Sequence, residues 1–350
     1  MRTSPPIARA SRGSVIRRVA NMRDVADAAG VSVGTVSNVL NRPHSVSPST
    51  RTRVQGAIDR LGFVRNDAAR RLREGQSRTI GLVVPNLRNP FFADVAKGAE
   101  ERAHKAGLSI LIASSDDRPS QEAARLAQFR EQRVRGIVIA PVGSDPIGAA
   151  SASTESGPFV LVGGDHANPT CDSVGFDDRH GGRIAAEHLL KLGRRRLLFI
   201  GCPPGVKQVA DRLEGGNDAV ADRPDAVLEV MATGSMTIEG GRRAATEILE
   251  RAPHSRPDAI IAANDLVALG VLQALLQADQ VRVPHDIALI GYDDIDFAAS
   301  AAVPLSSIAQ SGQLLGSTAV DMMLEGGPAS APRQHVVYRP GLVVRSSTDG

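Results

Sequence analysis

The sequence predicts two structural classes in one chain: an all-α helix-turn-helix head, followed by an α/β body of two doubly wound parallel-sheet lobes. Charge gives the first indication. Residues 1–76 hold 14 arginines, no lysine and five acidic residues, a net +9, whereas the remaining 274 residues carry 27 basic and 33 acidic groups, a net −6. Within 24–40, small and apolar residues recur at the spacing of two short helices turned about a glycine. From residue 79 onward, β-branched and aliphatic runs alternate with helix-patterned segments, as in parallel sheets covered on both faces. At 350 residues and 42% hydrophobic, the chain has the length of about two domains and enough apolar material for a real core.

The leader, residues 1–21, contains Arg2, Arg9, Arg12, Arg17 and Arg18 but no apolar run of signal-peptide length, and is expected to be a disordered basic arm. No stretch of about 18 apolar residues follows, so neither export nor membrane spanning is expected, and the cytoplasm is the expected location. Cys171 and Cys202 are too few for a disulfide scaffold and lack the spacing of a zinc site, which suits a reducing compartment.

The head is predicted at 22–64. Val25, Ala29, Val31, Val36 and Val39 occupy the buried positions, Ala26 is small where two helices cross, and Gly30 stands where the turn needs an unusual backbone angle. A third helix opens on Ser47-Pro48, an N-cap followed by proline, and runs to about Leu61. The second helix would enter a DNA major groove by its N-terminal half, presenting Ser32, Val33, Gly34, Thr35, Ser37 and Asn38. Serine and threonine reach phosphates or bases, asparagine pairs with adenine, and Val33 can touch a thymine methyl, whereas Gly34 reads nothing. The polar, glycine-containing R-E-G-Q-S-R-T at 73–79 reads as a linker.

In the body the strand-like runs are TIGLVVP (79–85), LSILIA (108–113), GIVIAPV (136–142), FVLVG (159–163), RLLFIG (196–201), AIIAAN (259–264) and DIALIGYD (286–293). Helical stretches such as 91–106 and 183–192 separate them, and about 270 residues divide more naturally into two lobes than into one very wide sheet. Ligands of open parallel sheets bind beyond the carboxyl ends of the strands. Those ends deliver Asn86, Asn89, Phe91 and Phe92 after the first run, Asn264 and Asp265 after A-I-I-A-A, and Asp293 and Asp294 after I-A-L-I-G-Y. Polar groups with an aromatic pair, in a chain of only eight Phe, two Tyr and no Trp, suit a polyhydroxylated ligand. No nucleophile elbow, phosphate loop or H-E-x-x-H occurs, His166, His180 and His188 are scattered, and Asp293 and Asp294 are expected to point to opposite faces of a strand. No catalytic residue, cofactor or metal is therefore expected. A solute-binding protein would account for the body alone, but not for the basic three-helix head.

The segments D-V-A-D-A-A-G-V-S (24–32), T-V-S-N-V-L-N (35–41), V-S-P-S-T-R (46–51), L-G-F-V-R-N-D-A-A-R-R-L (61–72), N-P-F-F-A (89–93), A-N-D (263–265), I-G-Y-D (290–293) and S-S-I-A-Q (306–310) resemble the lactose-repressor (LacI/GalR) family of bacterial transcription regulators. The resemblance implies a periplasmic-binding-protein-like core, a homodimer or tetramer, and binding to near-palindromic double-stranded operator DNA. It places Val33, Gly34 and Asn38 at the main specificity positions, the last very often arginine in the family. It makes residues 65–78 a hinge helix and linker, with Asn66, Ala69 and Leu72 in the minor groove and Arg65 where a proline is usual. It puts Asn89, Phe91, Phe92, Arg212, Asn264, Asp293 and Gln310 around a sugar rather than a purine. Gly163-Gly164, with Asp165 beyond, stand in place of a frequent Asp-Arg pair, and Gly216 in place of an aromatic. The implied function is repression of carbohydrate uptake or catabolism genes, relieved or imposed by a sugar or sugar phosphate. The implied core, 79–350, has an N-lobe at 79–175 plus 306–330 and a C-lobe at 177–303 plus 334–346.

Overall fold

The computed structural model describes residues 20–63, 77–143, 157–163, 171–201, 205–326 and 332–349. Two compact units divide between Gly75 and Gln76. Most of the leader, the hinge residues Arg65, Asn66, Ala69 and Leu72, and Gly164, Asp165, His166 and Cys202 lie outside the described residues.

In the head, α1 (Met22–Ala29) starts on a capping box: the Asn21 side chain accepts from the Arg23 and Asp24 N–H groups, and the Asp24 carboxylate accepts the Asn21 N–H at 2.8 Å. Gly30 ends the helix at φ 61°, ψ 44°, a left-handed conformation that costs glycine nothing. Ser32 caps α2 (Val33–Asn41), and Ser47 with Pro48 opens α3 (Pro48–Leu61). Val25, Ala26, Ala29, Val36 and Val39 are buried together with Val54, Ala57 and Phe63, while Val31 packs half-buried at the edge of this cluster.

Among the described residues the body contains two six-stranded sheets. The N-lobe sheet runs β11-β5-β4-β3-β1-β2, from β1 (Thr79–Val84), β2 (Ser109–Ser114), β3 (Ile137–Ile139), β4 (Phe159–Val162), β5 (Asp172–Phe176) and β11 (His335–Tyr338), all parallel. The C-lobe sheet runs β12-β10-β9-β8-β6-β7, from β6 (Arg196–Gly201), β7 (Val227–Ala232), β8 (Ala259–Ala262), β9 (Ala288–Asp293), β10 (Ser306–Ala309) and β12 (Gly341–Val343); only the β10–β12 pair is antiparallel. Helices α4 (Pro90–Lys105), α5 (Pro119–Glu131) and α11 (Gly312–Glu325) pack on the first sheet. Helices α6 (Asp178–Lys191), α7 (Lys207–Ala221), α8 (Ile238–Glu250) and α9 (Asp265–Ala278) pack on the second, where the short α10 (Asp296–Ala299) follows β9. Among the described residues no helix is long and apolar enough to cross a membrane.

The chain passes between the lobes after β5, after β10 and between β11 and β12, which corrects the expected lobe boundaries. Ser306–Ala309, assigned from sequence to the N-lobe, pairs Ser306 with Ile290 in the C-lobe sheet. His335–Tyr338, assigned to the C-lobe, pairs His335 with Ser173 in the N-lobe sheet. These strands, like D-S-V-G-F in β5, are too short and polar to stand out as apolar runs. Hydrogen-bond register, rather than hydropathy, decides which sheet they join.

Three helix pairs meet backbone to backbone through reciprocal glycines. A Cβ on Gly98 would overlap the Gln313 carbonyl and one on Gly316 the Val95 carbonyl, joining α4 to α11. Gly182 faces the Arg212 carbonyl and Gly215 the Arg179 carbonyl, joining α6 to α7; Gly241 and Gly270 do the same for α8 and α9 against the Val267 and Ile238 carbonyls. The second contact fixes the stretch of α7 that carries Arg212.

Candidate effector pocket and DNA-reading surface

Asn89, Phe91, Phe92, Arg212, Asn264, Asp293 and Gln310 all line one cavity of about 450 Å³ between the lobes. The N-lobe supplies the first three from the turn after β1 and the start of α4. Asn89 is the N-cap there; its Oδ1 accepts the Phe91 N–H at 3.1 Å, and its side chain also reaches Asp293 of the other lobe. Phe91 and Phe92 meet edge to face, ring centres 5.3 Å apart at 70°, so that an apolar wall faces the polar C-lobe. From the C-lobe, Asn264 caps α9, accepting the Val267 N–H at 2.9 Å and donating to the Met236 carbonyl at 3.3 Å. Gln310, on the second passage between lobes, donates from Nε2 to Asp293 Oδ1 at 2.7 Å.

Arg212 is buried in this cavity wall. Its Nε donates to Asp178 Oδ1 at 2.8 Å, its Nη1 donates to the Ala263 carbonyl at 2.5 Å, and its guanidinium carbon lies 3.6 Å from the centre of the Tyr292 ring. Burial disfavours its charge, but the carboxylates of Asp178 and Asp293 outweigh that and hold its pKa above the ordinary value. Burial pushes the Asp293 carboxyl up to about 6, against the opposing pull of Arg212 and the donors Gln310 and Asn89.

Two of the strand-end residues do not face the cavity. Asp265 is fully buried behind β9, accepting the Ile295 N–H at 2.8 Å and the Ser307 hydroxyl at 2.7 Å; burial and the neighbouring Asp293 raise its pKa well above the usual carboxylate range. Asp294 turns away to pair with Arg345 at 2.7 Å. Asp293 and Asp294 do diverge, but not by strand alternation: both have positive φ, 106° and 56°, and this irregular end of β9 aims Asp293 alone into the cavity.

Sequence reasoning missed Asp117, Phe176, Asp178, Gln208 and Met236, which also line the cavity. Asp178 follows β5, a strand that the hydropathy pattern did not reveal. Gln208, in the first turn of α7, donates from Nε2 to the carbonyl of Gly163 in the opposite lobe. Gly163 adopts φ +65°, and a side chain there would crowd the Gln208 amide. Gly216, the other departure from the family pattern, faces Leu228 of β7 and is not among the residues lining the cavity.

In the head, Ser32, Val33, Gly34 and Asn38 are exposed and Thr35 and Ser37 half-buried. The Ser32 hydroxyl accepts the Thr35 N–H at 3.1 Å and lies 2.9 Å from the Thr35 hydroxyl, so both serve the cap of α2. Ser37 accepts from the Asn41 side chain at 3.2 Å. Val33, 40% exposed, is an apolar group at the helix start. Gly34 and Asn38 stand one turn apart on the same face, and a Cβ at Gly34 would touch the Ser32 hydroxyl oxygen at 3.6 Å.

Comparison with known proteins agrees with both halves of this architecture. Residues 21–66 match the model of bacterial regulatory proteins of the lacI family, and residues 77–335 that of periplasmic binding proteins and the sugar binding domain of the LacI family. The chain is 31% identical to the HTH-type transcriptional repressor PurR of Photobacterium profundum over 94% of its own length and 98% of that protein. It is 33% identical to the ribose operon repressor of Bacillus subtilis over 87% and 91%. Its fold superposes on the lac repressor dimer bound to operator and the anti-inducer ONPF with a TM-score of 0.80 and 28% identity, covering 95% of this chain and 99% of that one. With a helix-turn-helix head, a two-lobed pocket-bearing core and relatives spanning both, the chain belongs to the LacI family of bacterial regulatory proteins.

Proposed function

We propose that this regulator represses carbohydrate uptake or catabolism genes from the cytoplasm, as a homodimer on a near-palindromic operator, under the control of a sugar bound between the lobes. The observation that carries the reading is the pocket's composition. A fixed guanidinium, a carboxylate at Asp293 and the amides of Asn89, Asn264 and Gln310 face an edge-to-face phenylalanine pair. Forked polar groups match vicinal hydroxyls, and an aromatic wall covers the C–H face of a sugar ring. Because Asn89 and Gln310 reach Asp293 from different parts of the fold, a ligand seated among them favours one arrangement of the lobes over another, in proportion to its differential affinity. Val33, Gly34 and Asn38 are the proposed base-reading positions, with Ser32, Thr35 and Ser37 beside them, and Asn66, Ala69 and Leu72 the proposed minor-groove contacts.

A thermal-shift screen of the full chain against sugars, sugar phosphates and nucleobases tests the effector class. A ligand at a hundred times its Kd adds about 2.7 kcal/mol, which raises Tm by several degrees. Stabilisation by nucleobases alone would overturn the sugar reading.

A further inference from the structure

We infer that the pocket is built for an uncharged ligand and discriminates against phosphorylated or carboxylated ones. The inference rests on the sugar reading and narrows it.

Among the described lining residues Arg212 is the one lysine or arginine, and its charge is already spent on Asp178, with its remaining contacts on the Ala263 carbonyl and the Tyr292 face. Asp117, Asp178 and Asp293 line the same cavity, so its ionisable groups sum to −2 when ionised. The other polar side chains are neutral: the amides of Asn86, Asn89, Gln208, Asn264 and Gln310 and the hydroxyl of Ser235. At the start of α7, where no side chain caps the helix, Lys207 does not line the cavity and is paired with Asp211. The segments 144–156, 164–170 and 202–204, which lie outside the described residues, contain no lysine or arginine.

A phosphate dianion leaving water must recover its hydration from cations and donors. Here it would meet carboxylates and a guanidinium whose charge is matched. A hydroxyl both donates and accepts, so an uncharged polyol can satisfy Asp293 and the amides together.

Isothermal titration of the full-length protein with matched pairs tests this: D-ribose and D-ribose 5-phosphate, D-glucose and D-glucose 6-phosphate, D-fructose and D-fructose 6-phosphate. In whichever pair binds, the free sugar is expected to be at least about tenfold tighter, with an affinity that stays flat as salt is raised, because no net charge enters. Gln208→Lys, which adds a cation to the cavity lining, is expected to narrow the gap severalfold. A phosphorylated member binding as tightly as its free sugar overturns the inference and leaves the sugar reading standing. Failure of every pair, together with nucleobase binding, overturns both.

Discussion

Arg212 lies over the Tyr292 ring, its guanidinium carbon 3.6 Å from the ring centre, and the same guanidinium is bonded to Asp178 at 2.8 Å. Three elements, α7, β9 and the start of α6, therefore share one polar floor beneath the effector cavity. A lysine can carry the charge but neither the fork nor the stack. Arg212→Lys is expected to lower effector affinity at least about tenfold while operator binding without effector is kept, read by titration and by gel shift. Arg212→Ala leaves Asp178 buried without its cation and is expected to cost about 3–5 kcal/mol of stability as well.

Asp293 couples the pocket to pH. Its pKa is pushed up by burial to about 6 from an ordinary 3.8, so between these values the folded protein holds a proton that the unfolded chain has released. Unfolding free energy therefore falls as pH rises through this window, by on the order of 3 kcal/mol in total, and the penalty is absent below pH 3.8. Asp265, raised by burial in the same direction, adds to the trend. Asp293→Asn is expected to be the more heat-stable protein at pH 7.5, to lose that advantage near pH 4, and to respond poorly to effector at both. In the wild type, effector affinity is expected to weaken below pH 6 by up to about tenfold per unit, as the carboxylate that accepts ligand hydroxyls becomes neutral. An affinity that is flat from pH 5 to 8 would remove Asp293 from the ligand contacts.

The sequence was most legible where periodicity and strand-end position coincide. Val25, Ala29, Val36 and Val39 mark the head because helix spacing alone puts them on one face, and the seven pocket residues lie beyond carboxyl ends of strands or on the family pattern. Asp178 and Phe176 were not legible, because β5 is a five-residue strand with two polar positions and its burial comes from neighbours distant in the chain. Gln208 was hidden for another reason. Its partner is a backbone carbonyl in the other lobe, and a backbone acceptor has no residue identity to read. The lobe exchange of β10 and β11 was misplaced on the same ground, since pairing register is a property of two segments and not of either one.

The reciprocal glycines between α6 and α7 give a test of the scaffold separate from its chemistry. A methyl at Gly182 would overlap the Arg212 carbonyl, and the helices can part only by moving Arg212 away from Asp178. Gly182→Ala is expected to destabilise by about 1–3 kcal/mol from overpacking and, unlike a generic destabiliser, to weaken effector binding in the surviving folded protein. Gly81→Ala, whose methyl would overlap the Phe129 ring between β1 and α5, disturbs a contact that carries no lining residue. It is expected to lower Tm comparably and to leave effector affinity within about twofold. If both variants bind effector equally, the α6–α7 contact does not position the site.

Asn38 is exposed on the same face as Gly34, and the glycine, having no side chain, puts nothing of its own between a base edge and the asparagine amide. An amide pairs with adenine through two hydrogen bonds and adds no charge, so its contribution belongs to sequence choice and not to the salt-dependent part of binding. Asn38→Ala is expected to reduce discrimination at one base pair in each operator half-site by about 1–3 kcal/mol, with the slope of log affinity against log salt unchanged. Asn38→Arg supplies a fork suited to guanine and is expected to shift preference at that pair while steepening the salt slope. Selection of operators from a randomised pool, repeated for the three proteins, reads both effects. A loss spread evenly over all positions after Asn38→Ala would mean that the asparagine contacts backbone and that another residue of α2 reads the base.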